Sequence, residues 1–240
     1  MINRSSASGN VSARQRFAGG LVGYLNSTVE RSTASGDIEV TETDVGGLVG
    51  LASPESSITR SNASGTVSGT DNVGGLVGWN DEGTVSQSSA SGVVDAVSDV
   101  GGLVGYNRDE ATIRDSYATG SASGTTNVGG LVGWNRNFNT PGATIERSYA
   151  VVDVPDGQTD FGGFVGTNDG EEVTTGYWDT DATGRDSSAD GKGLSTFEMT
   201  SLVAKNYMQF DYDETWNATR GYPRLDWEGV DELDPYPEAA

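Results

Sequence analysis

The chain has no cysteine and no histidine among its 240 residues, and only two lysines, Lys192 and Lys205. Without cysteine there is no disulfide, thiolate metal site or cysteine nucleophile, and the redox compartment stays open. Without histidine the common nucleophile and base pairs are missing, so any catalysis would have to rest on carboxylates. No run approaches 18 consecutive apolar residues, and Met-Ile-Asn-Arg-Ser at the start lacks the charged-then-apolar order of a signal peptide. The expectation is a fragment or excised domain that does not itself insert into a membrane, with any export signal or anchor outside it. Hydrophobic residues make up only 34% of the chain and glycines number 35, which leaves little material for a large conventional core.

Basic charge is also scarce. Thirty-five acidic residues face 14 basic ones, for a net charge of -21. Strong acidity with few lysines fits a protein adapted to high salt, where solvated carboxylates keep the surface soluble and screening acts within a few Å. An ordinary acidic extracellular protein is the plainer alternative. Nucleic acid is disfavoured as a partner, because phosphate binding needs clustered Lys or Arg.

What is present is a repeat. Gly-Gly-Leu-Val-Gly begins at Gly19, Gly46, Gly74, Gly101 and Gly129, in steps of 27, 28, 27 and 28 residues, and a Phe variant follows at Gly162 after 33. Such self-similarity means stacked supersecondary units. Between these runs lies Ile/Val-x-x-Ser-x-Ala-Ser/Thr-Gly, clearest at Ile58 to Gly65 and Ile113 to Gly120, so each period holds at least two short β-like segments and often a third apolar point such as Val67. Strand alternation puts Ser61, Ala63, Gly65 and Val67 on one face and Asn62, Ser64, Thr66 and Ser68 on the other. The expected fold is all-β, a right-handed parallel β-helix (β-solenoid) of about six coils with a C-terminal cap. Its handedness follows the general rule for parallel crossovers.

Gly-Gly-Leu-Val-Gly-aromatic-Asn, best at Gly74 to Asn80, Gly101 to Asn107 and Gly129 to Asn135, followed by Ile-x-x-Ser-Tyr-Ala-Thr-Gly, resembles the GLUG-motif repeats of large secreted and surface proteins, some adhesin-like. The resemblance spans residues 1 to 176. Tyr177-Trp178-Asp179-Thr180 and Gly221-Tyr222-Pro223 resemble the terminal segment that often follows such arrays. It implies a β-solenoid with an adhesive or spacing role at the cell surface or outside the cell, and no catalytic residue. Leu51-Ala52 in place of aromatic-Asn, and Val151-Val152-Asp153 near the last coil, depart from the pattern.

The domain boundaries expected are repeats over 1–176, a capping segment over 177–228 with a helical stretch at about 196–205, and an acidic flexible tail over 229–240. A cap there would cover apolar surface and unpaired strand groups at the open end.

Three candidate sites remain. Tyr24, Trp79, Tyr106 and Trp134 share one position in successive coils and would form a ladder, either an internal stack filling a corner, which the large burial of aromatics favours, or an exposed platform for sugar rings. Turn clusters such as Asn80-Asp81-Glu82, Asn107-Arg108-Asp109-Glu110 and Asn168-Asp169-Gly170-Glu171-Glu172 offer oxygen to Ca²⁺, although their spacing matches no known calcium loop and solvated turn charge explains them. Asp179 and Asp181 are the candidate acid and base pair. The functional expectation is a non-catalytic structural or adhesive segment with no cofactor beyond structural calcium, whose partners would be glycans or other surface proteins. A carbohydrate-binding module is the alternative, and a carboxylate-based polysaccharide-degrading β-helix enzyme stands third.

Overall fold

The computed structural model describes residues 1–138, 142–155, 159–169 and 172–229; most of the expected acidic tail lies outside them. The chain winds as a parallel β-solenoid of about six coils. One coil runs through the short strands Thr84–Ser86, Ser89–Ala90, Val93–Asp95, Ser98–Gly101 and Val104–Arg108. Equivalent strands of neighbouring coils pair in parallel, giving one 17-stranded sheet and two of six strands. The register is the sequence repeat itself, with Ile58 beside Val29 and Val85, and Ala63 beside Ala34 and Ala90.

The alternation expected from the sequence is the one observed. Ser61, Ala63 and Val67 are buried, while Ser64 and Thr66 are exposed and Asn62 and Ser68 half-buried. Stacking identical small residues makes a narrow core of Val, Ala, Leu and Ile ladders, which is why so little apolar mass suffices. The glycines are there for close approach. A Cβ on Gly75 would press into the carbonyl oxygen of Gly102 in the next coil and lie 2.9 Å from Ala90 Cβ.

Polar ladders reinforce the stack. The N–H groups of Ser5, Ser32, Ser61, Ser88 and Ser116 each donate to the hydroxyl of the matching serine one coil on, at 3.1–3.2 Å. From Ser32 on, these hydroxyls donate to the carbonyl two residues back. Each serine therefore satisfies a backbone donor that a turn would otherwise leave orphaned in the interior. A second ladder joins Asn80 to Asn107, Asn107 to Asn135 and Asn135 to Asn168, amide to carbonyl at 2.9–3.0 Å, and ends on the Asp190 carboxylate. Asp44, Asn72, Asp99, Asn127 and Asp160 occupy a third row with φ between 50° and 63°, a conformation Asp and Asn tolerate best after Gly. There Asn72 donates to Asp44 at 2.6 Å and Asn127 to Asp99 at 2.7 Å.

The last segment does two jobs where the sequence suggested one. Residues 187–194 close the end of the stack: Gly163 N donates to Ser187 O, Ala189 N to Val165 O, and Lys192–Leu194 pairs with Glu172–Asp179. The remainder, beginning with the helix Thr196–Met199 capped by Ser195, folds back along the flank. It covers three tyrosines stacked on successive coils, Tyr117, Tyr149 and Tyr177, with Phe210, Trp216 and Leu225. The Tyr117 and Tyr149 rings are stacked, with centroids 5.0 Å apart and planes nearly parallel. Tyr149 Oη donates to Pro223 O at 2.7 Å, and Trp227 Nε1 reaches Gln87 O at 2.8 Å, three coils from the capped end. A short antiparallel pair, Trp216–Asn217 with Arg224–Leu225, stiffens this strap. The helical stretch at 196–205 is broken into Thr196–Met199, a 3₁₀ turn Ser201–Val203 and Ala204–Tyr207, and a one-turn helix at Thr180–Thr183 precedes it.

Candidate functional site

The four aromatic positions align as expected: Leu51 pairs with Tyr24 and with Trp79, Trp79 with Tyr106, and Tyr106 with Trp134. The row lies at the surface and not in a filled corner. Tyr24 is 54% exposed, Trp79 and Trp134 are half-buried, and Tyr106 between them is 8% exposed. Ring centroids are 5.9 Å apart from Trp79 to Tyr106 and 5.5 Å from Tyr106 to Trp134. Burial pushes the Tyr106 hydroxyl above its ordinary pKa.

The row is not bare. The Arg136 guanidinium lies 4.2 Å from the Trp134 ring and 4.1 Å from Phe138, and Arg108 lies 5.0 Å from Trp79. Trp134 Nε1 donates to Asp169 at 2.9 Å, whereas Trp79 Nε1 is buried with no acceptor among the described residues, because Arg108 stands in the coil position that Asp169 fills for Trp134.

The turn carboxylates Asp81, Glu82 and Asp109 converge so that one oxygen of each lies within 4.8 Å of the others. Arg108 already sits among them, 2.9 Å from both Asp81 and Asp109. Its guanidinium supplies there the positive charge a cation would bring. Desolvation raises the Asp81 pKa, with Arg108 opposing it. In the third turn cluster, Gly170 and Glu171 lie outside the described residues.

Asp179 and Asp181 do not form an acid and base pair. Asp179 is fully buried and caps the Thr180–Thr183 helix, its Oδ1 accepting from Asp181 N and Ala182 N and its Oδ2 from Tyr222 Oη. Asp181 accepts from Thr196 N at 3.0 Å. Both carboxylates are occupied in holding the strap to the last coil.

Residues 41–68, 69–95 and 96–123 match the family model described as the GLUG motif. The chain carries GLUG motif repeats. The three matched GLUG segments lie in the middle of the stack, and the same coil geometry continues on both sides of them. Over 74 residues, 29% of this chain, it is 40% identical to Halomucin of Haloquadratum walsbyi. That stretch spans about 1% of the Halomucin chain. The chain also superposes on a crystal structure from Bacteroides ovatus, named as a candidate immunoglobulin A1 protease, with a TM-score of 0.63. The superposition covers 92% of this chain and 75% of the other at 17% identity, which bears on fold alone. Among the described residues no helix is long and apolar enough to cross a membrane, which leaves a β-barrel untouched.

Proposed function

We propose that the chain is a non-catalytic structural and adhesive segment of a cell-surface or secreted protein that works in high salt, holding neighbouring parts apart on a stiff stack of coils. The observation that carries this reading is the continuity of the ladders. Serine hydroxyls bind successive backbones from Ser5 to Ser148, and the amide row runs from Asn80 to Asp190, so hydrogen bonding crosses every interface between coils along the array. The acidic composition and the stretch shared with Halomucin favour a salt-rich exterior.

Far-UV circular dichroism across a KCl series tests the setting. Folded structure in molar salt that is lost on dilution and regained on restoring salt is expected, because screening over about 3 Å at 1 M removes carboxylate repulsion. Full stability in dilute buffer contradicts the high-salt reading. Turnover of immunoglobulin A1 or of a polysaccharide that disappears when one carboxylate is replaced would overturn the non-catalytic one.

The second reading is a carbohydrate-binding module using the aromatic row, favoured by the exposure of Tyr24, Trp79 and Trp134. The guanidinium groups lying beside Trp79 and Trp134 compete for the surfaces on which a sugar would stack. Loss of glycan binding in Trp79→Ala without loss of fold would establish it.

A further inference from the structure

The strap ends on a feature that neither the repeat nor the cap requires. Trp227 is half-buried, pinned through its indole N–H to Gln87 O, and stands between two hollows on the solenoid flank. One, of about 450 Å³, is lined by Thr33, Asn62, Ser91, Tyr117, Arg224 and Glu228. The other, of about 340 Å³, is lined by Arg31, Arg60, Gln87, Glu214, Thr215 and Asp226. Both fall within the range of about 300–1,000 Å³ typical of small-molecule sites.

Their chemistry is mixed in a particular way. Arg16, Arg108, Arg136 and Arg147 are each paired with a carboxylate. Arg60 instead uses Nε on Gln87, and Arg224 uses Nη1 on Tyr117 Oη, leaving further N–H donors of both without a partner among the described residues. Asn62 spends its amide N–H on Ser89, so its carbonyl oxygen is free to accept. Glu228 is held by Tyr117 Oη at 2.7 Å and by Leu225 N at 3.1 Å, which fixes its place at the rim. An aromatic plate, uncommitted guanidinium donors and fixed acceptors in one concavity suit a ring with an apolar face, many hydroxyls and one negative group. Glu214, Asp226 and Glu228 can accept sugar hydroxyls and oppose densely packed negative charge, so the fitting ligand spreads its charge as one carboxylate per ring, whose repulsion molar salt screens.

We infer that the groove around Trp227 binds an acidic glycan, with a pyranose stacked on the indole and a uronate carboxylate on Arg224 or Arg60. This deepens the adhesive part of the proposed function and rests on it only for a setting where glycans are met. The coils position the floor through Thr33, Asn62 and Gln87, and the strap brings the plate and one arginine. The site exists only where the strap has been laid back across the flank.

The test titrates the full chain in molar KCl with oligogalacturonate, and with neutral glucose oligomers as comparison, by calorimetry and tryptophan fluorescence. Saturable binding of oligogalacturonate is expected, weakened at least tenfold by Arg224→Gln and by Trp227→Ala. Arg60→Gln, away from the tyrosine stack, tests the second hollow should Trp227→Ala loosen the strap. Unchanged circular dichroism separates lost binding from lost fold. No saturable binding, equal binding of neutral oligomers, affinity untouched by both arginine changes, or loss on Trp79→Ala instead would each overturn the assignment. A chain that folds in salt, turns nothing over and fails to bind leaves the spacer reading standing.

Discussion

Replacing Asn107 by alanine isolates the amide ladder. Asn107 is fully buried, accepts from Asn80 Nδ2 at 2.9 Å and donates to Asn135 Oδ1 at 2.9 Å. Alanine fits the backbone there, because Ala52 occupies the same position in an earlier coil. The change removes two hydrogen bonds, about 1 kcal/mol each, and orphans both Asn135 Oδ1 and one N–H of Asn80 Nδ2 at a further cost of about 1–3 kcal/mol for each, for a loss of about 4–8 kcal/mol. Asn80→Ala also removes two bonds, one to Asn107 and one to Gly83 O. It deletes an acceptor, Asn80 Oδ1, that is already without a partner among the described residues, since Ala52 has no amide to offer. The number of orphans then stays constant, and the expected cost is about 2 kcal/mol. The double variant loses three bonds with no net new orphan and should cost about 3 kcal/mol, well below the sum of the singles. Urea unfolding in molar KCl, followed by circular dichroism, measures all three. Additive losses, or an Asn107→Ala cost below about 0.5 kcal/mol, would refute the claim that these amides act as one coupled row.

Two further substitutions probe other parts of the stack. Gly75→Ala drives a methyl into Gly102 O and should cost about 3 kcal/mol or more in the same assay, while Gly9→Ala, whose Cβ meets nothing within 4 Å, should stay within about 0.5 kcal/mol of the parent. For Asp99, burial raises the pKa above its ordinary value. The folded state then holds a proton that the unfolded state has already released, so this site's contribution to stability falls as pH rises from the ordinary carboxylate pKa through the raised one. Asp99→Asn, an amide like Asn72 and Asn127 in the same row, should flatten that part of the pH–stability curve; an unchanged slope would argue against a desolvated carboxylate.

The repeat made much of this fold legible. The spacing of Gly-Gly-Leu-Val-Gly fixed the register, and the alternation around Ala63 named the inward face correctly. The aromatic row was placed in line but not in depth, for a physical reason. Val77 and Asn80 are both buried although they stand on opposite faces by simple alternation, and Gly78 backs onto the neighbouring wall at Val45, so both sides of that strand are covered. The amide ladder was present in sequence as the Asn after Trp79, Tyr106 and Trp134. The Asp or Asn two residues before every Gly-Gly but the first, where Phe17 stands, is a local signal for positive φ. The strap could not be read at all, because contacts such as Trp227 with Gln87 join residues 140 apart and no local pattern encodes them.

The coil stack itself is tested most directly by distance measurement between spin labels on cysteines introduced into this cysteine-free chain. Asn3 connects to Thr174 through Glu30, Thr59, Ser86, Arg114 and Glu146, six register steps along one wall. At about 4.8 Å per step the backbones should lie about 29 Å apart, and the pair Glu30 and Glu146, four steps, about 19 Å. Narrow distributions whose centres differ by about 10 Å are the result a stiff parallel solenoid requires. Broad distributions, or two pairs whose separations do not scale with the number of coils between them, would contradict it.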